Sequence, residues 1–176
     1  MKKGGGKRKG SAFQLKVAKE LSKWYGKDKS FNNSPGSGAW STIHDSNKVP
    51  GDIVCPDDFP FVIECKKQEA FSLYKMFDRE YKLFNSFWEQ VCTDATRVGK
   101  KPLLIIGKNH NPTLVCCRIY ELPFEKISST DRYMVLLEND NTAPFKQVGK
   151  LILMLFSDFL NSWTTYKWGT ALENET

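Results

Sequence analysis

Helical and strand periodicities alternate along this chain, and the alternation limits the folds open to it. From Ser11, a residue that favours helix starts, apolar side chains recur at Phe13, Val17, Leu21 and Trp24, and Gly26 closes the run. Two β-prone runs follow, Asp52–Cys55 and Phe61–Cys65, joined by a turn bounded by Pro56 and Pro60. A second amphipathic helix is expected over about Asn85–Val98, with Trp88, Val91 and Ala95 on its apolar side and Gly99 as its stop. Lys101-Pro102 introduces the fully apolar run Leu103–Ile106, and Thr113–Ile119 gives another strand. Tyr133–Leu137 and Leu151–Leu155 read as two further strands, although Leu151–Leu160 fits a helix equally well. A helix carried between strands requires a sheet covered by helices, so the expected class is α/β.

With 176 residues, 40% of them hydrophobic, the chain suffices for one domain with its own core, which excludes disorder throughout. Residues 11–163 are expected to form that domain. Met1–Gly10 combines four glycines with five bases and reads as a flexible basic arm. Residues 164–176 read as a tail, near which Trp163, Tyr166, Lys167 and Trp168 either stack on bases or dock back onto the domain. No window approaches the length of apolar sequence that a membrane span needs, and the N-terminus carries no apolar leader. A cytoplasmic protein without a membrane partner is expected. Cys55, Cys65, Cys92, Cys116 and Cys117 form no CxxC pair, and with only His44 and His110 beside them a zinc site of ordinary ligand spacing is not expected. The thiols read as reduced, small hydrophobic residues.

The net charge of +6 is unevenly spread: residues 1–50 hold 11 Lys/Arg against 3 Asp/Glu, a surplus of +8, which leaves −2 over residues 51–176. Lys7, Arg8, Lys9, Lys16, Lys19 and Lys23 form a basic patch along the arm and first helix, suited to a phosphate backbone or serving as a solubilising face.

Asp52 opens one strand, and Glu64 and Lys66 stand two apart on the next. Strand side chains alternate, so Glu64 and Lys66 share a face while Cys65 points into the opposite layer. A hairpin between the strands brings Asp52 to the same spot. Two carboxylates, supplemented by the backbone carbonyl of Cys65 and by water, suit Mg²⁺, with Mn²⁺ able to substitute. A lysine beside such an ion can orient or deprotonate water and offset charge on a phosphoryl oxygen. This is equipment for phosphodiester hydrolysis, although an Asp-x11-Glu-x-Lys spacing also arises by chance. The basic half of the chain, adjacent to these residues in sequence, favours a polyanionic substrate. His44 offers an acid for a leaving group or is simply solvated. Ser37, in a Gly-Ser-Gly loop, marks either a phosphate contact or an ordinary turn. Phe84, Phe87 and Trp88 read as core or, in part, as interface.

The chain resembles the PD-(D/E)xK nuclease superfamily and, within it, the archaeal-type Holliday junction resolvases and related phage-encoded proteins. The resemblance rests on Arg8–Phe13 at the first helix, Pro35–Gly38, Gly51-Asp52-Ile53, Ile63-Glu64-Cys65-Lys66, and Phe87–Gln90 through Gly99–Ile105, over about residues 7 to 118. It implies a restriction-endonuclease-like core, with a central mixed β-sheet flanked by helices. It further implies a metal held by Asp52 and Glu64, Lys66 as catalytic base or water-orienting group, and action on branched DNA by a homodimer. Lys67 and Ser37 join the basic patch as expected DNA contacts. Two departures stand out. Gln14 replaces a glutamate that often completes the family's metal site, so its role is either catalytic or merely structural. Gly51 stands where the superfamily name has proline, a variable position expected to matter little. The expected function is thus a Mg²⁺-dependent endonuclease of resolvase type. Its rivals are another PD-(D/E)xK nuclease acting in repair, restriction or end processing, and a non-catalytic module that binds double-stranded DNA.

Overall fold

In the computed structural model, which describes residues 5–27, 29–34, 50–78, 81–122, 132–138 and 149–162, three helices and seven strands follow one another. They are α1 (Gly5–Tyr25), β1 (Asn32–Asn33), β2 (Ile53–Val54), β3 (Phe61–Lys67), α2 (Lys82–Arg97), β4 (Lys101–Gly107), β5 (Leu114–Arg118), β6 (Tyr133–Leu137), β7 (Lys150–Leu155) and α3 (Phe156–Ser162). Short 3-10 turns lie at Leu73–Phe77 and Ile119–Glu121.

The strands form a mixed sheet in the order β1-β2-β3-β4-β5-β7-β6, so the fold is α/β as the sequence implies. β3 and β4 run parallel and the other described pairs are antiparallel. A parallel neighbour requires a crossover, which α2 supplies. Both central strands are buried on their two faces, and for that reason they read as unbroken apolar runs instead of alternating.

Two cores sandwich the sheet. On one face Phe13, Val17, Ala18 and Leu21 of α1 pack with Ile63, Cys65, Leu103 and Ile105. On the other, Phe84, Trp88 and Val91 of α2 pack with Leu104 and Ile106. Each fully buried side chain of this kind contributes about 1.5–3 kcal/mol, so the helices are fixed to their faces by these stripes more than by propensity.

α1 runs antiparallel to β3. Near its C-terminus Tyr25 donates to Asp58 (2.5 Å) and Trp24 packs edge-on against Phe59, both just before β3 begins. Near its N-terminal half the Phe13 ring lies so close to Gly107, at the end of β4, that an added Cβ there would sit 2.5 Å from the ring. The base-rich end of α1 therefore lies at the carboxyl ends of β3 and β4.

Several boundaries differ from expectation. α1 starts at Gly5, six residues before Ser11, so residues 5–10 are helical and do not belong to a flexible arm. Once Phe13 and Val17 anchor the helix, each further residue is added to an existing nucleus, and Lys7, Arg8 and Lys9 are good helix formers. The first four residues and residues 163–176, including the C-terminal aromatics, lie outside the described residues. α2 begins at Lys82 instead of Asn85. The two-residue β1 falls in a Ser/Asn-rich stretch that carries no strand signal. Leu151–Leu160 is strand to Leu155 and helix from Phe156. All five cysteines are free, with Cys65, Cys116 and Cys117 buried. No described helix is long and apolar enough to cross a membrane.

Candidate active site

The β2–β3 hairpin carries Asp52 to β3. Ile53 pairs with Ile63, and the Asp52 amide donates to the Ile63 carbonyl at 2.8 Å. The preceding residue, Gly51, adopts φ +77°, where a Cβ would lie 2.5 Å from the Ile63 oxygen. The close approach turns the Asp52 side chain across the strand, where Oδ2 accepts the Cys65 N–H at 2.9 Å. Asp52 is thereby held beside the peptide that links Glu64 to Cys65, with only 9% of its surface exposed.

Strand alternation sends Cys65 into the α1 core and Glu64 and Lys66 toward α2. Lys66 Nζ donates to Glu64 Oε1 at 2.5 Å and to Gln90 Oε1 at 2.8 Å, while Gln90 Nε2 donates to the same Glu64 oxygen at 2.8 Å. The Phe87 ring, one turn before Gln90 on α2, sits 5.4 Å from the ammonium. Phe84 and Trp88 belong to the core, whereas half-buried Phe87 faces this lysine. Gln90 was not singled out for a role by sequence reasoning. A lone glutamine on a helix, 24 residues after Lys66, gives no sign of its neighbours until the crossover is folded.

Burial pushes the Glu64 carboxyl up to about 7, Asp52 adds to the rise, and Lys66 partly opposes it. A carboxyl whose folded pKa lies above its unfolded value stabilises the fold fully at pH below the unfolded value and loses that contribution as pH rises through the folded one. Without divalent ions, the protein should lose on the order of 1–2 kcal/mol of stability between pH 6 and 8.5. Thermal or urea unfolding across that range checks this, and Glu64→Gln should flatten the trend. An equal trend in Glu64→Gln would show that another group carries it.

Each carboxylate thus has one oxygen engaged by the protein, Asp52 Oδ2 and Glu64 Oε1, and one without a donor among the described residues. Two open oxygens from buried acids, one of them resisting ionisation, match the donor set of a hard divalent cation that retains several waters. Among the described residues no group of three or more His, Cys, Asp or Glu side chains could hold an ion, so carbonyls or water must complete the shell. The donor set fits an ion such as Mg²⁺.

The other expected residues distribute as follows. Lys67 points to the α1 side, 5.7 Å from the Phe13 ring. Arg8, Lys9, Lys16 and Lys19 are exposed on α1, with Lys7 in the same helix. Gln14 is 8% exposed on the buried face of α1, the helix of the layer opposite to Glu64 and Lys66. Ser37 and His44 lie outside the described residues.

The chain matches, over residues 5–168, the family model described as "Phage putative PDDEXK endonuclease". No curated protein and no solved structure matches it. With the matched stretch running from the first turn of α1 past the end of α3, and with acids and lysine converging on β3, the chain belongs to this family of phage PDDEXK endonucleases.

Proposed function

We propose that the protein is a Mg²⁺-dependent endonuclease that cuts phosphodiester bonds in branched DNA, in the manner of a Holliday junction resolvase. The observation that carries the hydrolytic part is the convergence of Asp52, Glu64 and Lys66 along the middle and carboxyl-terminal part of β3. The resolvase part rests on the motifs of Arg8–Phe13, Gly51–Ile53, Ile63–Lys66 and Gly99–Ile105 and on their order.

The base-rich end of α1, together with Lys67, holds the phosphate backbone beside the site. Phosphate contacts position DNA without reading its sequence, which suits an enzyme selecting for shape. Asp52 and Glu64 each present one open oxygen, and the Cys65 carbonyl directly follows Glu64 on β3. A bound divalent ion supplies Lewis-acid polarisation of the phosphoryl group and activation of the attacking water. Lys66 has three N–H donors and uses two on Glu64 and Gln90. The third is available to orient the water or stabilise charge on the phosphoryl oxygen, which favours an orienting role over that of a base. Gln14, an uncharged amide, acts from the α1 layer as a packing residue or a water-orienting group. A homodimer would supply one such site to each of two strands. Exposed Tyr133, Val135 and Leu137 on the uncharged edge strand β6 offer apolar surface for that association.

Substrate preference tests the reading. Incubated with a four-way junction, a splayed arm and a linear duplex, the protein should cut the junction when Mg²⁺ is present and leave it intact when Mg²⁺ is withheld. In gel-shift competition, excess linear duplex should fail to displace the junction. Equal displacement by duplex would remove the resolvase assignment and leave a general nuclease.

A further inference from the structure

We propose that Gln90 is a positioning residue for catalysis, fixing Glu64 and Lys66 in the orientation that the reaction uses. The inference rests on the nuclease reading of Asp52, Glu64 and Lys66 and extends it to a second element of the fold.

Three hydrogen bonds close a ring among Glu64, Lys66 and Gln90. Both ends of the Gln90 amide are used: Nε2–H donates to the carboxylate, and Oε1 accepts from the ammonium. Yet Gln90 is an exposed residue on α2, where a long, flexible side chain ordinarily keeps its rotamer freedom. Ordering it at both ends serves no core, because the α2 residues that bury apolar surface are Phe84, Trp88, Val91 and Ala95.

The ring also has a direction. Lys66 and Gln90 both bond Oε1 of Glu64, so Oε2 is the oxygen left for a cation. Lys66 is held from the α2 side by Gln90 Oε1 and by the ring of Phe87, one helical turn away. These contacts do not depend on Glu64. When Glu64 turns toward a cation, the lysine keeps an acceptor and an aromatic face that hold it near the reacting phosphate. Gln90 thus separates two tasks that β3 alone would confuse, since Glu64 and Lys66 would otherwise be each other's closest partner.

The test uses the full chain. Gln90→Ala removes both hydrogen bonds, and Gln90→Met removes them while keeping the length of the side chain. Both should lower kcat about 10–100-fold with KM for DNA unchanged, as a displaced reacting group does. Both should also weaken Mn²⁺ binding, read by calorimetry without DNA, by about tenfold, as loss of a residue supporting a metal ligand does. Because the position is exposed, melting temperatures should match the wild type. Gln90→Glu keeps the acceptor for Lys66 but sets a like charge against Glu64, so it should restore part of kcat relative to Gln90→Ala when Mn²⁺ is saturating. Unchanged kcat and Mn²⁺ affinity in Gln90→Ala would overturn the proposal. So would losses that merely track a lowered melting temperature. A wild-type protein that neither binds Mn²⁺ nor cuts DNA would sink the nuclease reading instead, an outcome separable because it is seen before any substitution is made.

Discussion

Asp52→Asn, Glu64→Gln and Lys66→Ala should each lower the single-turnover cleavage rate by at least about 10²-fold while leaving DNA binding intact. The size of the effect follows from what each change removes. Asn and Gln keep the shape of the acid but lose the charge proposed to hold a cation, and alanine removes the cationic donor proposed to stabilise the phosphoryl oxygen. The fold should survive all three. An asparagine at 52 still offers an oxygen to the Cys65 N–H, glutamine at 64 relieves a buried acid, and Lys66 is only partly buried. Binding should survive because the phosphate contacts proposed above come from α1 and Lys67. Cleavage of end-labelled DNA, paired with gel shifts without metal and thermal melts, reads all three quantities. Full activity in any one variant would remove that residue from the site.

The second large effect is expected at Gly51. With φ at +77°, a non-glycine residue costs about 1–2 kcal/mol. The added Cβ would also press on backbone, 2.5 Å from the Ile63 oxygen, and lie 2.9 Å from Val62 Cγ1. Backbone cannot swing aside as a side-chain tip can, and forced overlap of this kind adds about 1–3 kcal/mol. Gly51→Ala should therefore lose about 2–5 kcal/mol of a domain stability that is ordinarily 5–15 kcal/mol. Gly51→Pro should fare worse, because proline is fixed near φ −65°. Urea unfolding measures the loss, and a midpoint equal to that of the wild type would show that the hairpin relaxes freely. Cleavage should fall in parallel, since the same turn aims Asp52 at the Cys65 amide. Judged by sequence, the absence of proline at this position looks minor. The backbone shows that glycine is required.

The sequence announces the acids and the lysine because strand alternation is a local rule: Glu64 and Lys66 share a face whatever surrounds them. The central strands were equally legible, as their unbroken apolar runs admit few other roles. What local pattern could not show was which helix faces which side of the sheet. Gln14 and Gln90 illustrate the point. The first drew attention by its place beside Phe13 and lies in the α1 layer, opposite to Glu64 and Lys66. The second, part of the Phe87–Gln90 piece of the resemblance but given no role by its sequence, meets both from α2. The start of α1 was missed for another reason, since glycine and charge signal disorder only where nothing nearby nucleates a helix.

The parallel pairing of β3 with β4 also sets a timetable. Glu64 faces Leu104, 40 residues further along, and the helix carrying Gln90 lies between them. A chain leaving the ribosome therefore exposes Asp52, Glu64 and Lys66 well before the strand and helix that organise them exist. Closing so long a connection is a slow, late event compared with forming the β2–β3 hairpin. The side chains of the proposed site are made early and assembled late, so a half-synthesised copy carries the acids without the arrangement that the proposed reaction requires.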